Sequence, residues 1–188
     1  MGLAQLAPSP APVLRLRLLR ASDLPFVQRV LAELSAETLH RRFLGTVTAE
    51  RVDLSWVAQL GGVRHVAVGA CLSATGEPLG VARAVVAGDW AELAVTVVDR
   101  WQGRRVGTRL AQALAAELRS RGVRVVVGTL SVENRPAVAL LHGLGARRST
   151  PIEAGIIEMR AKLDVKDGDG APASGCDAPA RSSRRSGS

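Results

Sequence analysis

Residues 97–110 read VVDRWQGRRVGTRL, and this stretch decides the fold. A β-branched strand ends at Asp99, and a loop rich in glycine and arginine leads directly into a helix rich in alanine and leucine. The first turn of a helix presents backbone N–H groups without intrahelical partners, together with the positive end of the helix dipole. Gly103 and Gly107 allow a ligand to approach this backbone closely. Four arginines surround the same place: Arg100, Arg104, Arg105 and Arg109. The stretch therefore predicts a binding site for a pyrophosphate.

Two other phosphate-binding loops do not fit this stretch. A Rossmann dinucleotide loop has the spacing G-x-G-x-x-G within repeated βαβ units, and the chain shows neither feature here. A P-loop needs Gly-Lys-Ser/Thr, which does not occur in the chain. A plain helix start, with its glycines serving only a tight turn, remains the alternative to a ligand site.

The hydrophobic periodicity predicts one mixed α/β domain. Three consecutive strands joined by glycine turns indicate an antiparallel meander before the glycine- and arginine-rich loop that follows Asp99, here called the decisive loop. A helix and a further strand follow this loop. Strands are predicted at 13–19, 64–72, 78–86, 92–98, 123–130, near 147 and at 155–163. Helices are predicted at 23–34, 36–43, 48–61, 104–121 and 133–142.

The chain resembles the GNAT family of acyl-CoA-dependent N-acyltransferases at two blocks, and the resemblance covers residues 77–160. The second block is the strand at 123–130, followed by Glu133-Asn134 and a helix that ends at Leu144-Gly145. The resemblance implies a central, mostly antiparallel twisted sheet flanked by helices, with a splayed strand pair at the acyl-CoA site. The family signature is Gln/Arg-x-x-Gly-x-Gly/Ala, and this chain departs from it where an arginine replaces the middle glycine: Gln102-Gly103-Arg104-Arg105-Val106-Gly107.

Two segments are similar to the bacterial Pat-type protein lysine acetyltransferases within that family. They are SAETLHRRF at 35–43 and AELAVTVVDRWQGRRVGTRL at 91–110. This finer resemblance implies acetyl-CoA as co-substrate and a protein lysine as the preferred acceptor. A small amine, an antibiotic or a protein N-terminus stays open as acceptor. A catalytically silent acyl-CoA sensor is the second function hypothesis, favoured by the altered loop.

The resemblance also implies which residues contact the co-substrate. The backbone of the strand before the loop binds the pantetheine arm, and Val97 lies nearest to the thioester carbonyl. Asn134 either contacts the pantetheine arm or caps its own helix. The residues expected to contact the co-substrate are Val95, Val97, Gln102, Gly103, Arg104, Arg105, Val106, Gly107, Thr108 and Asn134.

Transfer to an amine also needs a base, because only the neutral amine is a nucleophile. Glu92 interrupts an otherwise apolar strand shortly before the acyl site, and Pat-type proteins carry an acidic general base at the matching place. Burial beside apolar residues would raise the pKa of Glu92 toward the working pH. The alternative is a glutamate on the polar face of a half-buried strand. Asp89 and Asp99 are weaker candidates, since both have the pattern of turn residues.

The leaving thiolate has no evident general acid. Many GNAT proteins use a tyrosine on the helix after the asparagine, but Leu141 stands at the matching position and the chain contains no tyrosine. Water, Ser131 or His142 are the substitutes, and unassisted departure is the remaining option. His142 also fits an ordinary helix-end residue.

Composition agrees with a phosphate-bearing ligand and excludes several classes. The net charge of +8 favours polyanions, and coenzyme A accounts for part of it. Nucleic acid is disfavoured because the arginines are spread over many elements and only 3% of residues are aromatic. Two cysteines, Cys71 and Cys176, make no disulfide framework, and His40 and His65 stand apart from other metal ligands. We expect no metal.

The ends of the chain differ from its middle. Residues 1–12 are rich in proline and alanine, and residues 164–188 have almost nothing to bury, so a flexible N-terminus and a disordered tail are expected on either side of a domain at 13–163. The chain shows neither a signal peptide nor an apolar run of membrane-spanning length. We expect a cytoplasmic protein, either monomeric or homodimeric.

Overall fold

A computed structural model describes residues 13–45 and 48–164. They form a seven-stranded sheet with helices packed on both faces. In chain order the elements are β1 (Leu14–Leu18), α1 (Leu24–Ala32), α2 (Ala36–Phe43), β2 (His65–Leu72), β3 (Pro78–Ala87), β4 (Trp90–Val97), α3 (Val106–Ser120), β5 (Val125–Ser131), α4 (Arg135–Gly143), β6 (Arg147–Arg148) and β7 (Ile156–Lys162).

The strands follow the order β1-β2-β3-β4-β5-β7-β6 across the sheet. Every neighbouring pair is antiparallel except β4 and β5, which run parallel because α3 connects them across one face. The predicted mixed α/β class and the mostly antiparallel sheet are confirmed.

Each face of the sheet has its own apolar core. Helix α3 buries apolar residues at helical spacing against β2, β3 and β4, and α4 packs beside it. Helices α1 and α2 cover the other face, together with Trp56 and Val57. Strand β4 therefore alternates: Ala91 and Leu93 belong to the α3 core, while Ala94 and Thr96 face α1 and α2, opposite Arg83 and Val81 of β3.

Strands β4 and β5 diverge soon after they meet. Their pairing extends only from Trp90–Glu92 of β4 to Val125–Val127 of β5. Residues 93–97 of β4 continue beside β3 but have no partner in β5. The splayed strand pair that the family resemblance implied is therefore present.

The predicted helix at 48–61 is wrong. Two short 3₁₀ turns occupy this stretch, Ala49–Arg51 and Ser55–Gln59. Asp53 explains the interruption, because its carboxylate accepts hydrogen bonds from the backbone N–H of Ser55 at 2.9 Å and from its hydroxyl at 3.0 Å. Such a local bond stabilises a turn in place of a helix. The other predicted elements are confirmed with small shifts of their ends.

The expected flexible segment 1–12 lies outside the described residues. So does the tail from residue 165 onward, and both expectations stay predictions.

Candidate active site

A cavity of about 430 Å³ opens where β4 and β5 diverge. Its walls are residues 93–97 of β4 and 128–130 of β5, the start of α3, one side of α4, and three residues of α2. The cavity thus lies at the place where the decisive loop meets the splayed strands. The α2 residues that line it are Thr38, Arg41 and Arg42.

Strand β4 directs unpaired backbone groups into this cavity. The N–H of Val98 donates to the carbonyl of Leu79 at 2.9 Å, and bonds in an antiparallel ladder alternate along each strand. Val95 and Val97 therefore turn their N–H groups away from β3, toward the gap that β5 has left. These N–H groups can donate hydrogen bonds to carbonyl oxygens of a ligand.

The start of α3 supplies a second set of free N–H groups. The first intrahelical bond runs from the N–H of Arg109 to the carbonyl of Arg105 at 3.1 Å, which leaves the N–H groups of residues 106–108 unpaired. Gly107 keeps the space in front of them open. A Cβ there would lie 3.1 Å from Cδ1 of Leu140 and 3.5 Å from Cγ2 of Val97.

Most of the predicted contact residues surround this one cavity. Arg104 is the exception, because its guanidinium stacks on Trp101 at 5.0 Å from the ring centroid instead of lining the cavity. Those that line it are Val95, Val97, Gln102, Gly103, Arg105, Val106, Gly107, Thr108 and Asn134.

The four arginines predicted around the loop do not all face the cavity. Arg105 lines it, in a left-handed backbone conformation with φ of +61°. Arg100 forms ion pairs with Glu33 and, at 2.7 Å, with Glu77. Arg109 is exposed on α3 outside the cavity lining. Much of the positive charge of the loop is therefore used for packing and surface ion pairs.

Asp99 connects the loop to α2. Its carboxylate accepts hydrogen bonds from the N–H of Ser35 at 2.9 Å, from the hydroxyl of Thr38 at 2.8 Å and from the side-chain amide of Gln102 at 3.0 Å. Burial raises the pKa of Asp99, but the hydrogen bonds from Ser35 and Thr38 outweigh it and hold that pKa below its ordinary value. Asp99 is thus an ionised structural anchor and not a suitable base.

Glu92 lies at the vertex of the splay, since it is the last residue of β4 that pairs with β5. It was expected to be buried, and this expectation is wrong: its side chain is exposed. Glu92 does not line the cavity, but Ala94 and Thr96 on the same strand face do. Alternate residues of a strand are about 6.6 Å apart, so the backbone of Glu92 lies one strand repeat from the cavity wall at Ala94. Among the described residues, no Asp, Glu, His or Tyr lines it.

The residues considered for protonating the leaving group also have clear positions. Leu141, the residue that the family resemblance matches to a tyrosine, is buried and lines the cavity. Ser131 and His142 lie outside the lining, and Nδ1 of His142 is 3.0 Å from the carbonyl of Ala146, as an ordinary helix-end residue would be. Asn134 caps α4 by accepting from the N–H of Ala137 at 3.3 Å, while it also lines the cavity.

Sequence reasoning assigned no role to the α2 residues Thr38, Arg41 and Arg42. Their segment, 35–43, carried a signal only through its similarity to Pat-type proteins. An amphipathic helix that ends in two arginines does not by itself indicate which cavity it covers. The hydrogen bonds that Asp99 accepts from Ser35 and Thr38 hold α2 over the site.

A second small cavity, of about 40 Å³, lies on the α1–α2 face of the sheet. Arg42, Ala94 and Thr96 line both cavities, so the two adjoin across β4. Arg83 also lines the second cavity, and its guanidinium stacks on Trp56 at 4.7 Å from the ring centroid.

Neither a metal site nor a membrane span is found in the part of the chain that the structure describes. Residues 13–45 and 48–164 contain no cluster of three or more His, Cys, Asp or Glu side chains that could hold a metal ion. Their helices include none that combines the length and the apolar character needed to cross a bilayer.

A protein-family model described as the acetyltransferase (GNAT) family matches residues 31–146. The match includes α2, the splayed strands, the decisive loop and α4, which together form the cavity.

Three solved structures share the fold. The GNAT domain of S. lividans PAT has a TM-score of 0.70 at 22% identity, over 81% of this chain and 96% of that one. The ribosomal-protein alanine N-acetyltransferase of Escherichia coli has a TM-score of 0.62 at 20% identity, over 85% and 99%. The PaiA N-acetyltransferase of Thermoplasma acidophilum, in complex with coenzyme A, has a TM-score of 0.61 at 14% identity, over 80% and 99%.

Proposed function

We propose that this chain, which belongs to the GNAT acetyltransferase family, transfers an acetyl group from acetyl-CoA to the side-chain amine of a protein lysine. The observation that carries the proposal is the meeting of two sets of free backbone N–H groups in one cavity. One set lies along β4 where β5 has diverged, and the other lies at the start of α3.

The cavity fits acetyl-CoA in two respects. The unpaired N–H groups of residues 106–108, at the positive end of the α3 dipole, would bind the pyrophosphate. The N–H groups of Val95 and Val97 would bind the pantetheine arm and the thioester carbonyl. A fixed backbone donor at the developing oxyanion contributes about 10²–10³ in rate. The coenzyme A bound to the Thermoplasma neighbour supports this assignment.

The acceptor amine must lose a proton before it attacks. A lysine amine has an ordinary pKa of about 10.4, so nearly all of it is protonated at neutral pH. Glu92 would take this proton through a water molecule, because its exposed carboxylate lies beside the cavity and not in its wall. The new N–C bond then forms as the C–S bond breaks, and the thiolate takes its proton from water.

The choice of a protein lysine rests on the similarity of segments 35–43 and 91–110 to Pat-type proteins. The structure gives these segments a common place, because α2 covers the cavity that β4 and the loop form.

A catalytically silent acyl-CoA sensor is the second candidate. It is favoured by Leu141 at the tyrosine position and by the lack of any acidic side chain, histidine or tyrosine in the described cavity wall. The two candidates share acetyl-CoA binding and differ in catalysis.

Calorimetric titration with acetyl-CoA is the first test. We expect acetyl-CoA and coenzyme A to bind with micromolar affinity and NADH not to bind, because the site accommodates a pantetheine arm beside the helix start. Transfer of radiolabelled acetyl groups to lysine peptides then separates the enzyme from the sensor. If acetyl-CoA fails to bind, both candidates are wrong and the loop is only a helix start.

A further inference from the structure

The α1–α2 side of β4 contains two positive charges with no carboxylate partner. Arg42 extends from α2 and Arg83 from β3, and both line the small second cavity. None of the ion pairs among the described residues includes either arginine. Nε of Arg42 is buried without a hydrogen-bond partner.

The surroundings of these two arginines disfavour their positive charges. Burial lowers the pKa of Arg42 to about 10, and the nearby charge of Arg83 acts in the same direction. Burial also lowers the pKa of Arg83. The acidic groups that act on them are Glu92 and Asp53, and both are exposed. Both arginines are half-buried, and a partly desolvated charge without a partner costs free energy that an anionic ligand would recover.

Arg83 lies away from the predicted co-substrate site. The predicted phosphate-binding groups lie at the start of α3, against the α3 face of the sheet. Arg83 lines only the second cavity, on the α1–α2 face, and stacking on Trp56 fixes its guanidinium there. Arg42 stands between the two cavities, beside Ala94 and Thr96.

We propose that Arg42 and Arg83 bind a carboxylate of the acceptor, so that the preferred acceptor carries an anionic group close to its reacting amine. This inference rests on the proposed function and names the class of acceptor. A guanidinium binds a carboxylate through paired, charge-assisted hydrogen bonds. The carboxylate has two possible sources: an acidic residue beside the acceptor lysine of a protein, or the carboxylate of a free amino acid.

Two matched pairs of probes test the proposal by calorimetry on the coenzyme A-loaded protein. One pair is a lysine peptide flanked by glutamates and its analogue flanked by glutamines. The other pair is γ-aminobutyrate and n-butylamine. We expect the acidic member of at least one pair to bind about tenfold more tightly, because hydrogen bonds between charged groups contribute that much. A preference in the peptide pair alone indicates an acid-flanked lysine, and a preference in the small pair alone indicates a free amino acid.

Arginine variants then test whether these two residues cause the preference for the acidic probe. Arg83→Gln should reduce the ratio of the two affinities to about one while acetyl-CoA still binds normally, and Arg83→Lys should keep part of the preference. Arg42→Gln repeats the test if Arg83→Gln does not fold, as judged by thermal melting. Arg29→Gln is the matched control, since it removes the same charge from the exposed side of α1.

The outcomes separate the two proposals. Equal binding within both pairs, or a preference that survives Arg83→Gln, overturns the acceptor inference even when acetyl-CoA binds. If the protein binds neither acetyl-CoA nor coenzyme A, the same probe pairs are titrated into the unloaded protein. An acidic preference that depends on Arg83 there supports the anion site and overturns the proposed function.

Discussion

The two regions on either side of β4, one at the large cavity and one at the small cavity, offer a ligand different kinds of groups. The cofactor side, residues 93–108 with the facing residues 128–141, offers mainly backbone N–H groups and a glycine. The acceptor side, the region that we propose for the acceptor, is formed by α1, α2 and the face of β3 and β4 that they cover. It offers the side chains of Arg42 and Arg83, and Asp99 holds α2 by accepting hydrogen bonds from Ser35 and Thr38.

This difference determines which residues can be substituted without loss of function. A backbone donor keeps its place as long as its strand or helix keeps its geometry, so the cofactor side depends on main-chain conformation and on empty space. A side-chain site depends on residue identity, and it can be altered to suit another acceptor while the sheet stays the same. We expect substitutions on the two sides to affect different measurements.

Substitution of Glu92 should give the largest effect and should separate transfer from binding. We expect Glu92→Gln to reduce kcat by about 10²–10⁴, since an amide cannot take the proton of the amine. Acetyl-CoA should bind with unchanged affinity, because Glu92 does not line the cavity. Initial rates of peptide acetylation and calorimetry on the same sample measure both quantities.

Glu153→Gln is the matched control for Glu92→Gln, since it removes one exposed carboxylate that does not line the cavity. A Glu92→Gln enzyme as active as the wild type would show that water or substrate supplies the base. If neither protein transfers acetyl groups although both bind acetyl-CoA, the sensor is the better interpretation.

A side chain at Gly107 should give the next largest effect, on the cofactor side alone. A valine there would extend into the space between Val97 and Leu140, where the Cβ itself is already 3.1 Å from Leu140. The added methyl groups would occupy space beside the free N–H groups, so we expect acetyl-CoA affinity to fall by about tenfold to a hundredfold, which is about 1.4–2.8 kcal/mol. Calorimetric titration gives the affinity directly.

Gly143→Val provides the control for Gly107→Val. Gly143 also lies in a helix, and a Cβ there meets no atom within 4 Å. It should leave acetyl-CoA affinity unchanged, because the added Cβ meets no neighbouring atom. Equal loss of affinity in both variants would mean that the space beside Gly107 is not where the ligand binds.

The same difference explains what could be predicted from the sequence. The cofactor side depends on signals within a few consecutive residues: a strand, a glycine loop and a helix start at 97–110. The acceptor side depends on contacts between distant residues, such as Ser35 and Asp99, which are 64 positions apart. No periodicity or motif indicates that Arg42 and Arg83 line a common cavity. The exposure of Glu92 could not be predicted from its apolar neighbours, because it depends on which elements cover that face of the strand.

Removal of the Asp99 carboxylate should weaken the connection between the loop and α2, and should lower the stability of the protein moderately. Asp99→Asn keeps the shape of the side chain but weakens its bonds to Ser35 and Thr38. We expect the free energy of unfolding to fall by about 1–2 kcal/mol at pH 7, measured by urea denaturation. Asp53→Asn is the control, because its carboxylate bonds only within its own turn.

The effect of Asp99 should depend on pH in a defined direction. Its pKa in the folded protein lies below the ordinary value of about 3.9, so its contribution to stability is fully present above that value. The contribution is lost as the pH falls through the lower folded-state pKa. The difference in unfolding free energy between the wild type and Asp99→Asn should therefore be constant from about pH 6 to 8 and shrink below about pH 4. A difference that grows in acid would contradict the assignment.

The smallest expected effect concerns the arginine that replaces the middle glycine of the family signature. Arg105 has a φ of +61°, and a residue with a Cβ in this left-handed conformation is strained by about 1 kcal/mol. Arg105→Gly and Arg105→Ala both remove the guanidinium, but only glycine relieves the strain. We expect the glycine variant to be more stable than the alanine variant by about 1 kcal/mol in urea denaturation, and the two to bind acetyl-CoA equally.

The pair of Arg105 variants also measures how far the cofactor side depends on the backbone alone. If both variants bind acetyl-CoA as tightly as the wild type, the N–H groups at the start of α3 suffice for the pyrophosphate and the guanidinium contributes little. If both bind acetyl-CoA several-fold more weakly and by the same factor, the Arg105 guanidinium at the cavity wall itself contributes to binding. Equal stability of the two variants would contradict the left-handed conformation itself, and with it the position of the free N–H groups on which the cofactor side depends.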